Sequence, residues 1–215
     1  MKVYGAPISP FVRKVIIVLK LKNLEHEVIA ILPGATPEDY QKISPLNKIP
    51  AFEDGDLAIC DSSVICEYLQ EQYPQNSVLP NTPALRARSR WLEEYADTKL
   101  VELCIGSIFF ERIVKPMLMQ QPTDEERVAD TINNLLPPQL DYLETQIPEQ
   151  GFMFDQFGCV DISLAGPFIN AGYADYKVDA QRWPKLAAYL GRVKAHPVVT
   201  EALAAEAEMM AQMGD

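Results

Sequence analysis

Apolar and polar positions change rhythm about a third of the way along the chain. In the first part, short alternating stretches interleave with helical periods. Lys2–Gly5 alternates, ends in glycine and predicts a strand. From Pro10 to about Lys22, residues Phe11, Val15, Ile16, Val18 and Leu19 recur on one helical face, and Arg13, Lys14, Lys20 and Lys22 point elsewhere. Glu27–Leu32, rich in β-branched residues, predicts a second strand. Ala51–Glu53 and Leu57–Cys60 flank Asp54-Gly55-Asp56, an Asp-Gly turn between two apolar pieces and so a hairpin. Ser62–Tyr73 then carries Val64, Ile65, Tyr68 and Leu69 at helical spacing. Strand, helix, strand, loop or short helix, hairpin, helix is the order of a mixed α/β unit.

Residues 74–83 hold three prolines and no periodic pattern, and they read as a linker. Beyond them the pattern is helical throughout. Ala84 to about Leu118 predicts one long helix that meets Pro116 near its end. Thr123-Asp124-Glu125-Glu126 reads as a capping box opening the next helix, which Pro137-Pro138 should kink or split. Gly158–Ala174, Trp183–Ala195 and Val198–Met213 predict three more. The expected division is an α/β domain over 1–78 and an all-helical domain over 84–215.

Charge and cysteine usage narrow the function classes. Thirty acidic residues against 19 basic ones give a net charge of −11, a field that repels phosphate backbones and anionic lipid. Neither nucleic acid nor a membrane is therefore an expected partner. Cys60, Cys66, Cys104 and Cys159 form no CxxC pair, and with only His26 and His196 no metal site is expected. The N-terminus lacks the apolar core of a signal peptide, and no apolar run reaches membrane-spanning length. The expected location is the cytoplasm, with the cysteines as reduced thiols.

Three segments carry candidate chemistry. Ser9-Pro10 marks a helix start, serine as N-cap and proline at the first helical position. Free N–H groups and the positive dipole end there suit an anion, although Ser9 can equally be a simple cap. Asn47-Lys48-Ile49-Pro50-Ala51 places a proline before a strand, either an ordinary trans turn residue or a cis-proline holding a backbone edge open. Asp61 and Ser62 sit where the hairpin enters the next helix, suited to an ammonium and a carboxylate or again to capping.

In this order and spacing the three segments resemble the cytosolic glutathione S-transferase family, over essentially the whole chain. Ser9-Pro10-Phe11-Val12-Arg13-Lys14 resembles the active-site segment of its serine-type, bacterial-like members; Ile49-Pro50 resembles its cis-proline motif; Asp61-Ser62 resembles its acidic-Ser pair. The resemblance implies a thioredoxin-like N-terminal domain, an all-helical C-terminal domain and a homodimer. Gly158 departs from the Ser or Thr cap usual in the family, a change worth only a few tenths of a kcal/mol.

The implied activity is detoxifying transfer, with glutathione as co-substrate and no metal. Glutathione's thiol, with a pKa near ~8.5, is mostly protonated at neutral pH, and a Ser9 hydroxyl hydrogen bond would favour the thiolate. Tyr4 is the rival donor, because some classes use a tyrosine at the end of the first strand. Ile49 would pair the cysteinyl backbone beside Pro50, Asp61 and Ser62 the γ-glutamyl end, and Lys48 the glycyl carboxylate. Ile8, Phe11, Phe109 and Ile113 would line the pocket for a small hydrophobic electrophile, with Tyr173, Met209, Met210 and Met213 as candidates to close it. Ser9 and Val12 stand where thiol redox relatives need cysteines, which disfavours disulfide chemistry. A glutathione-dependent isomerase or dehalogenase, and a non-catalytic glutathione-binding or protein-interaction member, are the alternatives.

Overall fold

A computed structural model of the chain describes residues 1–31 and 39–213, with side chains through residue 208. Two compact units result: Met1–Leu79 together with Ala195–Asp215, and Pro80–Lys194.

In the first unit β1 (Lys2–Tyr4), β2 (Glu27–Ile29), β3 (Ala51–Asp54) and β4 (Leu57–Cys60) form a sheet in the order β2-β1-β3-β4. β1 runs parallel to β2 and antiparallel to β3, and β3 and β4 are the expected hairpin. Gly55, at φ +60°, supplies the left-handed conformation that the two-residue turn needs. β2 is shorter than the predicted strand, whose last residue, Leu32, lies outside the described residues. α1 (Pro10–Leu21), α2 (Tyr40–Ile43) and α3 (Ser62–Gln72) complete the α/β part. Ile65 and Leu69 of α3 are buried as expected, but Val64 is exposed.

α1 departs from its predicted amphipathic pattern. Every residue from Val12 to Leu19 is buried, Arg13 and Lys14 included. The reason is that α1 is covered from several sides, by β1 and α3 and also by α10 (Pro197–Met213). The sequence pattern alone groups this segment with the helical half, whereas the structure places it in the first unit. With that face covered, the buried charges need partners. Both guanidinium nitrogens that Arg13 offers to α10 meet the Glu206 carboxylate, and Lys14 Nζ donates to Ser63 Oγ at 3.1 Å. Lys22, also read as off the apolar face, is buried and donates to the carbonyls of Tyr73 and Gln75, where α3 gives way to the linker.

In the second unit α4 (Pro83–Tyr95) is capped by Thr82 and passes without a break into a π-helical stretch, Ala96–Val114, and α5 (Lys115–Met119). The predicted long helix is thus continuous but wider over its middle, consistent with the mixed spacing of its apolar residues. Its buried face, including Leu100, Leu103, Cys104 and Ile108, packs on α8 (Cys159–Tyr173), itself buried over most of its length. α6 (Glu125–Asp130) is capped by Asp124, one residue later than predicted, because the Thr123 hydroxyl donates instead to the carbonyl of Glu111. A second π-helical turn, Thr131–Leu135, leads to the break before α7 (Pro137–Gln146), at the two prolines. α9 (Pro184–Lys194) closes the unit. No helix among the described residues is long and apolar enough to cross a membrane.

Candidate active site

The register of the sheet gathers the three candidate segments. Tyr4 pairs with Ala51, and Ala51 with Cys60. The end of β1, the start of β3 and the end of β4 therefore lie in one row, and the loop to Ser9, the Ile49-Pro50 bond and the Asp61-Ser62 step all leave the sheet from that edge. Gly5 permits the first of these to approach the second. A Cβ there would lie 2.4 Å from Val12 Cγ2 and 3.1 Å from Ile49 Cβ, at a φ of +152°.

Ser9 is the N-cap residue of α1 by backbone position, with φ −65° and ψ 128°. Its N–H donates to Ala6 O at 2.9 Å, and its carbonyl accepts from Arg13 N at 2.9 Å. Its hydroxyl makes no cap hydrogen bond, and among the described residues no other partner is present. The cap interpretation of this serine therefore fails at its side chain. A hydroxyl and unpaired helix N–H groups at a positive dipole end are suited to stabilising an anion.

Tyr4 is engaged elsewhere. Its phenol donates to Glu53 Oε2 at 2.7 Å, and its ring packs on the cluster of Ile31, Tyr40 and Ala51. Burial first, then the Glu53 carboxylate, push its pKa up to about 12.

The Ile49-Pro50 peptide is cis. Ile49 packs its side chain on the Ile31–Tyr40–Ala51 cluster, and its N–H and C=O meet no hydrogen-bond partner among the described residues. The preceding carbonyl, of Lys48, accepts from Tyr40 Oη at 2.8 Å and Ser44 Oγ at 2.7 Å, which fixes the loop from α2. The Lys48 side chain is exposed and has no ion-pair partner among the described residues.

Asp61 caps α3, its Oδ1 accepting from Ser63 N at 2.9 Å and Val64 N at 3.2 Å. It does so at φ 76° and ψ 125°, a strained backbone for a residue with a Cβ and of the kind found at functional sites. Its side chain remains exposed. Ser62 is buried, and its hydroxyl has no hydrogen-bond partner among the described residues.

Known proteins share this fold. Residues 3–77 match the model of the glutathione S-transferase N-terminal domain, and residues 126–192 that of the C-terminal domain. The chain is 30% identical over 210 residues to a maleylacetoacetate isomerase of Pseudomonas aeruginosa, covering 94% of this chain and 95% of the relative. The chain belongs to the glutathione S-transferase family. A glutathione S-transferase of Hyoscyamus muticus is 29% identical over 210 residues, 94% of this chain and 97% of the relative. The crystal structure of a glutathione S-transferase from Rhodospirillum rubrum superposes with a TM-score of 0.84 at 26% identity, covering 94% and 91% of the two chains. The fold is that of the family, a thioredoxin-like domain followed by a helical one, and the family is one of transferases.

Within this glutathione S-transferase fold the four residues expected at the electrophile pocket divide between the units. Ile8 and Phe11 flank Ser9 and are half-buried. Phe109 is buried, its ring 6.5 Å from that of Tyr173, and Ile113 is half-buried one turn further along the same helix. Met209, Met210 and Met213 have side chains outside the described residues.

Sequence reasoning missed Gly5, Tyr40 and Ser44, which shape the site without touching its candidate ligand groups. Gly5 left a signal, a glycine at a strand end before a loop. Tyr40 and Ser44 left none, because their value depends on how the loop to Lys48 curls back so that its carbonyl meets both hydroxyls.

Proposed function

We propose that this chain binds glutathione in residues 1–78 and stabilises its thiolate with the Ser9 hydroxyl, as the serine-type members of the family do. The thiolate then attacks a small apolar electrophile. The observation that carries the reading is the Ser9 hydroxyl itself, which stands at the start of α1 and is not used by the helix. The engagement of Tyr4 with Glu53 supports Ser9 over its rival.

On this reading a hydroxyl donor and the α1 dipole lower the thiol pKa by about one to two units, worth about 1.4–2.7 kcal/mol. Ser9 donates a hydrogen bond and forms no covalent bond. The open N–H and C=O of Ile49, beside cis-Pro50, pair with the cysteinyl residue of glutathione. The remaining acceptor capacity of Asp61 takes the γ-glutamyl ammonium, and the Ser62 hydroxyl takes the carboxylate next to it. Lys48 neutralises the glycyl carboxylate. Ile8 and Phe11, flanking Ser9, supply apolar surface for the electrophile. The physiological setting we infer is cytoplasmic detoxification by a homodimer.

A second reading is favoured by the relative from P. aeruginosa, whose printed name is that of an isomerase. In it the same thiolate adds reversibly to an enone, a bond rotates, and the thiolate leaves again, so glutathione is regenerated.

The deciding experiment titrates reduced glutathione into the wild type and Ser9→Ala by calorimetry and follows ionisation of the bound thiol by ultraviolet absorbance across pH. A depressed thiol pKa in the wild type that Ser9→Ala loses, with binding retained, establishes the role of Ser9. Binding without any pKa depression points to a glutathione-binding module, and no binding removes the proposal. Turnover of an aryl halide against isomerisation of a cis-enone, with glutathione consumption measured in both, separates the two reactions.

A further inference from the structure

Arg13 and Glu206 are 193 positions apart, and both are buried to 1% exposure. Arg13 Nε and Nη2 both donate to the Glu206 carboxylate, the second at 2.8 Å, so the guanidinium plane is held at two points. Held in this way, Nη2 also donates to the carbonyl of Ile8 at 3.3 Å. That carbonyl belongs to the peptide leading into Ser9. With the Ser9 N–H on Ala6 O and the Ser9 carbonyl on Arg13 N, both peptide groups flanking the Ser9 Cα are held. The Ile8-Ser9 peptide is thus held at both ends, its N–H within the loop and its carbonyl from α10 through Arg13.

We propose that Glu206 is a positioning residue for the Ser9 hydroxyl, acting through Arg13 and the carbonyl of Ile8. The C-terminal helix then belongs to the thiol-activating apparatus. This rests on the Ser9 reading given above. A bidentate carboxylate is needed because a point charge fixes no plane, and an exposed one would be screened and mobile.

The test measures the pKa of glutathione's thiol when bound, and the glutathione affinity, in the full chain. The variants are Ser9→Ala, Glu206→Gln, the double variant, and Glu201→Gln. Glu201 pairs with Lys20 at 2.6 Å, also linking α10 to α1, but it is exposed and touches nothing at Ser9. We expect Glu206→Gln to raise the bound thiol pKa by about half to one unit, a threefold to tenfold loss of thiolate well below that pKa. Glutathione affinity measured well below that pKa should change less than about twofold, and Glu201→Gln should shift neither quantity. In the double variant the Glu206 effect should vanish, because it acts through the hydroxyl already removed. Glu206→Gln that is less stable yet leaves the thiol pKa unchanged makes the pair purely structural and overturns the proposal. So does a Glu206 effect that adds in full to that of Ser9→Ala. If Ser9→Ala alone leaves the thiol pKa unchanged, the Ser9 reading has failed and this one with it. Should Glu206→Gln not fold, Glu206→Asp keeps the charge, shortens the arm by one methylene, and is judged by the same outcomes.

Discussion

At the start of α8, Asp161 accepts from the backbone N–H groups of Gly158 and Met153, both at 2.9 Å, and from the Tyr189 phenol at 2.6 Å, and it is sealed from solvent. At the start of α1, Ser9 occupies the N-cap with a side chain of a favoured type, and the helix does not use it. The residue type at the cap misleads in both places: glycine heads the end whose acidic side chain is fully engaged, serine the end whose hydroxyl is unused. The start of α3 lies between them, with the Asp61 carboxylate used twice and the Ser62 hydroxyl not at all. A helix end whose polar side chain is consumed internally serves folding. One whose hydroxyl is left over, in a family that binds an anionic tripeptide, is available for chemistry.

The sharpest break in this comparison is at α8. Asp161→Ala leaves two backbone donors and a phenol without their acceptor in the core, a loss on the order of 3–5 kcal/mol. Urea unfolding should show it as a lower midpoint at an unchanged slope. The pH response of the same group has a definite sign. Burial pushes the Asp161 carboxyl up to about 6, with its hydrogen bonds opposing. Between about pH 4 and 6 the folded state keeps a proton that the unfolded state has released, so stability falls as pH rises through that window, by up to about 3 kcal/mol. Measured against Asp161→Asn, which does not titrate, the wild type's stability should decline from pH 4 to pH 7.

Ser9→Ala should do the reverse of Asp161→Ala. Removing the hydroxyl should slow glutathione conjugation on the order of 100-fold, about 2.7 kcal/mol at the transition state. Thermal or urea stability should move by less than about 0.5 kcal/mol, because no cap hydrogen bond is lost. A stability loss of about 1 kcal/mol with an intact rate would make Ser9 an ordinary cap and erase the contrast with α8.

Asp61→Ala tests the intermediate case. It should lose about 1 kcal/mol of stability through the cap and weaken glutathione binding as well, two effects read separately by unfolding and by calorimetry. If only stability falls, the start of α3 belongs with α8. The smallest effect is expected at Lys48, exposed and without a partner among the described residues. Lys48→Ala should weaken glutathione binding a few-fold, under about 1 kcal/mol, and the difference from wild type should shrink as salt is raised.

How much of this was legible depends on how local each cause is. The β3-β4 hairpin was readable because Asp54-Gly55-Asp56 carries its own turn geometry. The break before α7 was readable because Pro137-Pro138 removes backbone donors wherever it stands. The candidate segments around Ser9, Ile49 and Asp61 were readable through their resemblance to a family, and the register of the sheet supplies a physical reason for their company. The capping residue of α6 was misread by one position, because Thr123 and Asp124 are both good caps and a distant carbonyl, that of Glu111, claimed the threonine.

By itself the sequence determined the periods, the turns, the linker and the change from α/β to helical grammar, because these depend on residues within a few positions of one another. Only the tertiary structure decided which faces are covered. A helix with Arg13, Lys14 and Lys22 reads as one-sided until a segment nearly two hundred residues later packs on it and one of its carboxylates meets a guanidinium. The same holds for the isomer of Ile49-Pro50, the engagement of Tyr4 by Glu53 and the unused hydroxyl of Ser9. Hydrogen-bond satisfaction is an accounting over the whole fold, and no local window contains all of its partners.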